Sequence, residues 1–378
     1  MPRVTEAQIQ VWRDALAMRD NGDTYQQIAN WYGLNSPSNA RSLVNNGLRR
    51  AGRANEIRTR TVSIHHNGRT TTTTVTEQVG VTMLQNYTFG IEFEIVNMNC
   101  RGAYVAMTAQ GIDLEDNGYT HDVMAVWKAV PDASLTHRNG TAEVVSPVLN
   151  GTHGLTEIRT VAKVLRDANA EVNSSCGMHI HIGVDGSLTA EQQARVIQMH
   201  QRWSSAFDAL CVPRRINGHW ARKISLQQAD GIANTWRTSV NVKRESFCHS
   251  SERYRALNLN AFAKYGTFEF RTHQGSLNGM NATAWIAFHT AFIAWAANAS
   301  LMGNNCTFLS NQGVLTAWTR QDIERQEQGQ TVSREAQIDA CKYLAQRLQN
   351  EGFLAEDAAQ HIINRAGNIP TRSTANNY

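Results

Sequence analysis

The stretch FGIEFEIV, residues 89–96, sets Phe89, Ile91, Phe93 and Ile95 on one side of an extended chain and Gly90, Glu92 and Glu94 on the other. The first side is core material. The second carries two carboxylates with no Lys or Arg within four residues of either. Neighbouring like charges repel, and an unpaired buried carboxylate is costly, so this face must meet either water or cations. The same sidedness recurs downstream. CGMHIHIG (176–183) alternates Met178, Ile180 and Ile182 against His179 and His181. GTFEFRTH (266–273) alternates Phe268 and Phe270 against Thr267, Glu269, Arg271 and His273, and GTAEVVSP (140–147) places Glu143 in an otherwise apolar strand. Strands of this kind predict an α+β fold built on a mostly antiparallel sheet, with helices on one face and an open cavity on the other.

That cavity face holds Glu92, Glu94, Glu143, Glu269 and His179 against Arg271 alone. Oxygen donors with one imidazole suit Mg²⁺ or Mn²⁺ better than Zn²⁺, and two such ions would neutralise four carboxylates. Each piece alone has a plainer explanation: an E-x-E strand is commonly a solvent face, and an H-x-H pair is commonly a satisfied polar pair. Their concurrence carries the metal expectation. His273 and His289 read as structural. An H-x-H strand also begins a cupin iron site, but Asp185 stands where that fold needs a glutamate, and no later Gly-Pro-His strand supplies another imidazole.

The remaining organisation is uneven in charge. Residues 1–60 carry nine Arg and five acids, whereas the rest balances 27 basic against 27 acidic residues, so the net +4 of this 378-residue chain lies at its N-terminal end. Residues 5–21 have helical apolar spacing behind a capping box, Thr5 to Gln8, and a second box, Thr24 to Gln27, opens TYQQIANWYGL. A third helical stretch, NARSLVNNGLRRAG, follows. Residues 1–53 thus predict a trihelical, helix-turn-helix-like module. Its third helix offers Ser38, Asn39, Arg41 and Arg49 to DNA, or a basic face to a protein partner. Residues 54–84 are Thr-rich and read as a β-hairpin or linker turning at His66–Asn67–Gly68. A catalytic domain is expected over 85–310 and a helical extension over 311–378, the latter with amphipathic helices in VSREAQIDACKYLAQRLQN and LAEDAAQHIINRAGN. Six scattered cysteines with no CxxC pair, no apolar signal region and no 18-residue apolar run lead us to expect a soluble protein of the reducing cytoplasm that does not engage a membrane.

Taken in order, E-x-E on a strand, G-x-x-E-V-V-S-P, C-G-M-H-I-H-I-G, R-Y-x-A-L-N-L and G-T-F-E-F-R-x-H-Q-G-S-L resemble the amidoligase family of carboxylate–amine ligases, which are related to glutamine synthetase and glutamate–cysteine ligase. The resemblance spans about residues 85–300. It implies a saddle-shaped, glutamine synthetase-like antiparallel sheet that binds ATP with two or three Mg²⁺ ions, or Mn²⁺. By the same resemblance, Glu92 and Glu94 serve different metals, Glu143 and Asp132 add acids, and His179 and Glu269 complete the metal that carries the phosphates. His181 and Arg271 correspond to groups touching the γ-phosphate. Arg253 matches a position for phosphate or substrate carboxylate, a role that Arg255 shares equally well. Asp132 is shorter than a glutamate, which suits a metal held through water.

The implied chemistry is phosphorylation of a carboxylate by ATP and attack on the acyl phosphate by an amine, giving an amide or isopeptide bond, ADP and phosphate. Carboxylate and amine substrates are then expected among small molecules, peptides or proteins, in a phage or bacterial setting. A phosphotransferase on the same sheet, and a DNA-binding regulator whose ligase-like domain senses a ligand, are the competing expectations. An acid or imidazole stands at each expected metal position, which favours an active enzyme.

Overall fold

The computed structural model describes residues 6–20, 25–32, 60–66, 69–75, 81–115, 118, 120, 122–238, 253–301 and 315–369. The chain forms two compact units, Met1–Gly80 and Val81–Tyr378.

In the first unit, helices α1 (Glu6–Asp20) and α2 (Tyr25–Trp31) precede a hairpin of β1 (Arg60–His66) and β2 (Arg69–Val75). Ala15, Ile28 and Ala29 are buried, and the Tyr32 hydroxyl donates to the Val11 carbonyl at 3.5 Å, tying the end of α2 to α1. The hairpin is antiparallel, with a register running from Arg60↔Val75 to His66↔Arg69; Asn67 and Gly68 of the expected turn lie outside the described residues. The expected third helix, with Ser38, Asn39, Arg41 and Arg49, lies outside the described residues.

The second unit is a mixed α+β fold on one open, eight-stranded sheet. Its strands are β3 (Thr88–Val96), β4 (Leu114–Glu115), β5 (Trp127–Val130), β6 (Thr141–Val145), β7 (Leu149–Asn150), β8 (Met178–Gly183), β9 (Leu257–Asn258) and β10 (Thr267–Phe270). They run in the order β4-β5-β6-β3-β8-β10-β9, with β7 also on β3. Pairing is antiparallel except between β4 and β5. The helices are α3 (Cys100–Thr108), α4 (Gly151–Asp167), α5 (Ala190–Arg202), α6 (Ser204–Asp208), α7 (Leu226–Thr238), α8 (Asn260–Tyr265), α9 (Gly279–Ala296), α10 (Arg320–Glu327), α11 (Arg334–Asn350) and α12 (Glu356–Ala366).

One sheet face is apolar and sits under helices. Phe89, Ile91 and Phe93 of β3, Met178, Ile180 and Ile182 of β8, and Phe268 and Phe270 of β10 join a single buried cluster. Gly154 lets α4 approach closely, since a Cβ there would stand 2.9 Å from both the Phe89 ring and Leu149. Helix α9 is apolar all round and buried along nearly its whole length, as a core helix must be. Its His289 stacks on Phe270 with ring centres 4.0 Å apart. Helices α11 and α12 add Leu344, Leu348 and Ile362 to the same cluster, and Asp357 accepts from the Thr82 amide (3.0 Å) and hydroxyl (2.8 Å), joining the start of the unit to its end.

Candidate active site

The polar side chains converge on the opposite face because the register puts them in adjacent rows. Glu92 pairs with His179 across β3–β8, Glu94 with Glu143 across β3–β6, and Glu269 with His181 across β10–β8. The contacts are tight. Glu92 Oε2 lies 2.9 Å from His179 Nδ1 and Glu92 Oε1 3.2 Å from His181 Nε2. His179 Nε2 is 3.5 Å from Glu94 Oε1, and its Nδ1 is 3.6 Å from Glu269 Oε1. Glu92, His179 and Glu269 each present a donor atom within 4.8 Å of the others, a set able to hold a metal ion.

Supporting bonds fix this cluster. Asn258 Nδ2 donates to Glu269 Oε2 at 2.6 Å, Arg271 Nη1 pairs with Glu269 Oε1, and the Gly177 amide donates to Glu94 Oε2. His181 Nδ1 lies 2.9 Å from Thr267 Oγ1, which orients its ring. Gly177 also has to lack a side chain, because a Cβ would sit 2.6 Å from Arg215 Nη2 and 3.1 Å from His179 Nε2. Arg215, on the turn Pro213–Arg215, donates through that same Nη2 to the Arg271 carbonyl at 3.2 Å.

The electrostatics are those of a crowded acid site. Burial pushes the Glu143 carboxyl well above its usual range, and the nearby charges of Glu92, Glu94 and Asp132 push it further. Burial also works on Glu92, but hydrogen bonds from His179 and His181 outweigh it and hold Glu92 well below the usual range. Burial would lower His181, yet the charges of Glu269 and Glu92 raise it. Burial opposes the charge of Glu269, and Arg271 and His181 more than compensate, lowering its pKa.

Two cavities flank the cluster, of about 880 and 600 Å³. Glu92, Asp132, Glu143, His181 and Arg253 line both, as do Lys264 and Tyr265 of α8, the short helix on this polar side. Glu94, His179, Glu269 and Arg271 line the smaller one. Nine of the ten expected site residues are thereby gathered in one place. Arg255 is not among them: it lines a separate pocket of about 20 Å³ with His200 and Lys223, so the structure separates it from Arg253. Asp132 also accepts from the Ser134 amide at 2.7 Å, which braces its loop.

Other residues at the site escape a sequence reading. Arg215 sits in a turn far from any motif, Asn258 falls within R-Y-x-A-L-N-L but on a two-residue strand, and Lys128 lies in the wholly buried β5. The structural assignment of His273 and His289 agrees with what is seen, both being buried with Nε2 atoms 2.8 Å apart.

A family model described as "Putative amidoligase enzyme" matches residues 85–293, which include these acids, histidines and arginines. The chain belongs to the amidoligase family. No curated protein matches it. Membership of the amidoligase family points to ligase chemistry and agrees with a cavity built from acids and basic side chains on a sheet. Among the described residues, no helix is long and apolar enough to cross a membrane.

Proposed function

We propose that this amidoligase is an ATP-dependent carboxylate–amine ligase on a glutamine synthetase-like sheet, working through an acyl phosphate. The observation that carries the reading is the convergence of Glu92, His179 and Glu269, whose donor atoms lie within 4.8 Å of one another, with Glu94, Asp132 and Glu143 lining the same cavity. Burial, and behind it the charges of Glu92, Glu94 and Asp132, drives Glu143 toward its neutral form, and divalent cations are the natural relief for such a donor set. The residues fit that role: Glu92, Glu94, Asp132, Glu143, His179 and Glu269 would hold Mg²⁺, with hard oxygen donors and one imidazole among them. Bound Mg²⁺ would neutralise the phosphates and orient them for transfer.

The chain's own groups supply the rest. Glu269 holds the Arg271 guanidinium in the smaller cavity, where it would meet charge developing on a transferred phosphoryl group. Thr267 fixes the His181 ring, so that Nε2 stays at the acid cluster. Arg253 lines both cavities and forms no ion pair with a described carboxylate, which suits it to a phosphate or a substrate carboxylate. Because two cavities meet at one cluster, a nucleotide and a carboxylate could approach from opposite ends and react in the middle.

Titration calorimetry with a non-hydrolysable ATP analogue tests the reading. Binding should require Mg²⁺ and disappear in Glu94→Ala. Wild-type protein that ignores the nucleotide at every Mg²⁺ concentration would overturn it. Given binding, ADP release that depends on an added amine identifies a ligase, and release without one identifies a phosphotransferase.

A further inference from the structure

The larger cavity contains a cation that this chemistry leaves without a task. Lys128 of β5 lies across Val145 from Glu92 in one cross-strand row, is only 7% exposed, and lines that cavity. Its Nζ donates to the Asp122 carbonyl at 2.7 Å and the Thr120 carbonyl at 3.2 Å. An ammonium has three donors, both acceptors are neutral, and no carboxylate of the described residues pairs with it. A buried charge met only by carbonyl dipoles is poorly compensated.

Its surroundings sharpen the point. Lys264 and Arg253 line the same cavity, and neither pairs with a described carboxylate. Burial lowers the Lys264 pKa and the charge of Lys128 lowers it further, against a smaller opposing pull from Asp122. Asp122 and Asp185 also line the cavity but are exposed, and the Asp122 carboxylate accepts from the Thr120 hydroxyl at 3.0 Å. Gly183 also lines the cavity, and a Cβ there would fall 2.1 Å from Thr88 Oγ1, so the Thr88 hydroxyl takes that space. At the mouth stand Val123 and Val148, each 60% exposed.

We propose that Lys128 binds a phosphate oxygen of the nucleotide in the larger cavity. An oxyanion there would take the third N–H of Lys128 and neutralise three cations that otherwise repel one another. The apolar Val123 and Val148 suit the uncharged end of the same ligand. The inference rests on ATP being the co-substrate.

Its test is binding, not turnover: Mg²⁺ with AMP-PNP by calorimetry, and adenosine by ligand-observed NMR, on the full chain. Lys128→Gln should weaken AMP-PNP by about tenfold or more, as for a lost charge-assisted bond, and leave adenosine within about twofold. Equal losses for both ligands, or none, would reduce Lys128 to a brace for residues 120–122 and overturn the proposal. Val148→Trp alters an exposed position and should block AMP-PNP. Undiminished AMP-PNP binding by this variant would also overturn the proposal, whether or not Lys128→Gln folds. A wild-type protein blind to AMP-PNP removes the ATP reading itself, an outcome distinct from a variant that binds normally.

Discussion

Glu269 shows how closely support and chemistry are joined at single residues. Its carboxylate is 4% exposed, takes a hydrogen bond from Asn258 and neutralises Arg271. Glu269→Ala would leave a buried guanidinium without its ion-pair partner, at a cost of about 3–5 kcal/mol. Glu269→Gln keeps an oxygen for Arg271 and a similar shape, and should cost about 1–2 kcal/mol. Both should lose Mg²⁺-dependent nucleotide binding if Glu269 is a ligand. Urea melts and calorimetry separate the two effects, and a Glu269→Gln protein that binds the nucleotide like wild type would dismiss the metal role. At this scale the sequence is readable where a side chain lies on an alternating strand. Glu92, His179 and Glu269 follow from period-two spacing. Lys128 hides in a strand whose residues are all buried, and Arg215 comes from a turn that no periodicity announces.

Elements are more legible than their contacts. The expected amphipathic helices in VSREAQIDACKYLAQRLQN and LAEDAAQHIINRAGN appear as α11 and α12, each starting two residues later than the stretch named for it. Helix starts are readable because a cap is local chemistry: Thr189 and Gln192 form a reciprocal box at α5. The cap at α10 reaches further than sequence reveals. Asp322 accepts from the Thr319 amide (3.1 Å) and hydroxyl (2.7 Å), and also from the Ser333 amide (2.7 Å) and hydroxyl (3.1 Å) eleven residues on. One carboxylate therefore caps α10 and pins the residue that caps α11. Asp322→Ala should cost about 2–3 kcal/mol, more than the ~1 kcal/mol of an ordinary cap. Denaturant unfolding checks this, and a loss under about 1 kcal/mol would mean that Ser333 finds another partner.

For the molecule as a whole, the sequence shows the two-faced sheet but not what lies beneath it. Under the apolar face, between β10, α5 and α9, sit three histidines that look unremarkable in the chain. His200 stacks on Phe207, His273 on Trp285 and His289 on Phe270, with ring centres 5.3, 4.2 and 4.0 Å apart. Burial, with the Lys223 charge adding to it, lowers His200 to about 3. Burial, with Arg215 adding to it, lowers His273 to about 3, and His289 is well below its usual value. In the unfolded chain these groups take up protons near pH 6.5. Between about pH 6.5 and 3 the unfolded state thus binds more protons than the native one, and stability falls as pH falls. Each neutral histidine contributes a slope of about 1.4 kcal/mol per pH unit, so three give about 4 kcal/mol per unit near pH 5. Against a typical stability of about 5–15 kcal/mol, acid unfolding should set in well above the pH at which most surface carboxylates protonate. Urea midpoints measured from pH 7 to 4.5 give the slope, and His200→Phe should reduce it by about 1.4 kcal/mol per pH unit, the share of one histidine. An unchanged slope in that variant would mean that His200 already carries a proton in the native core.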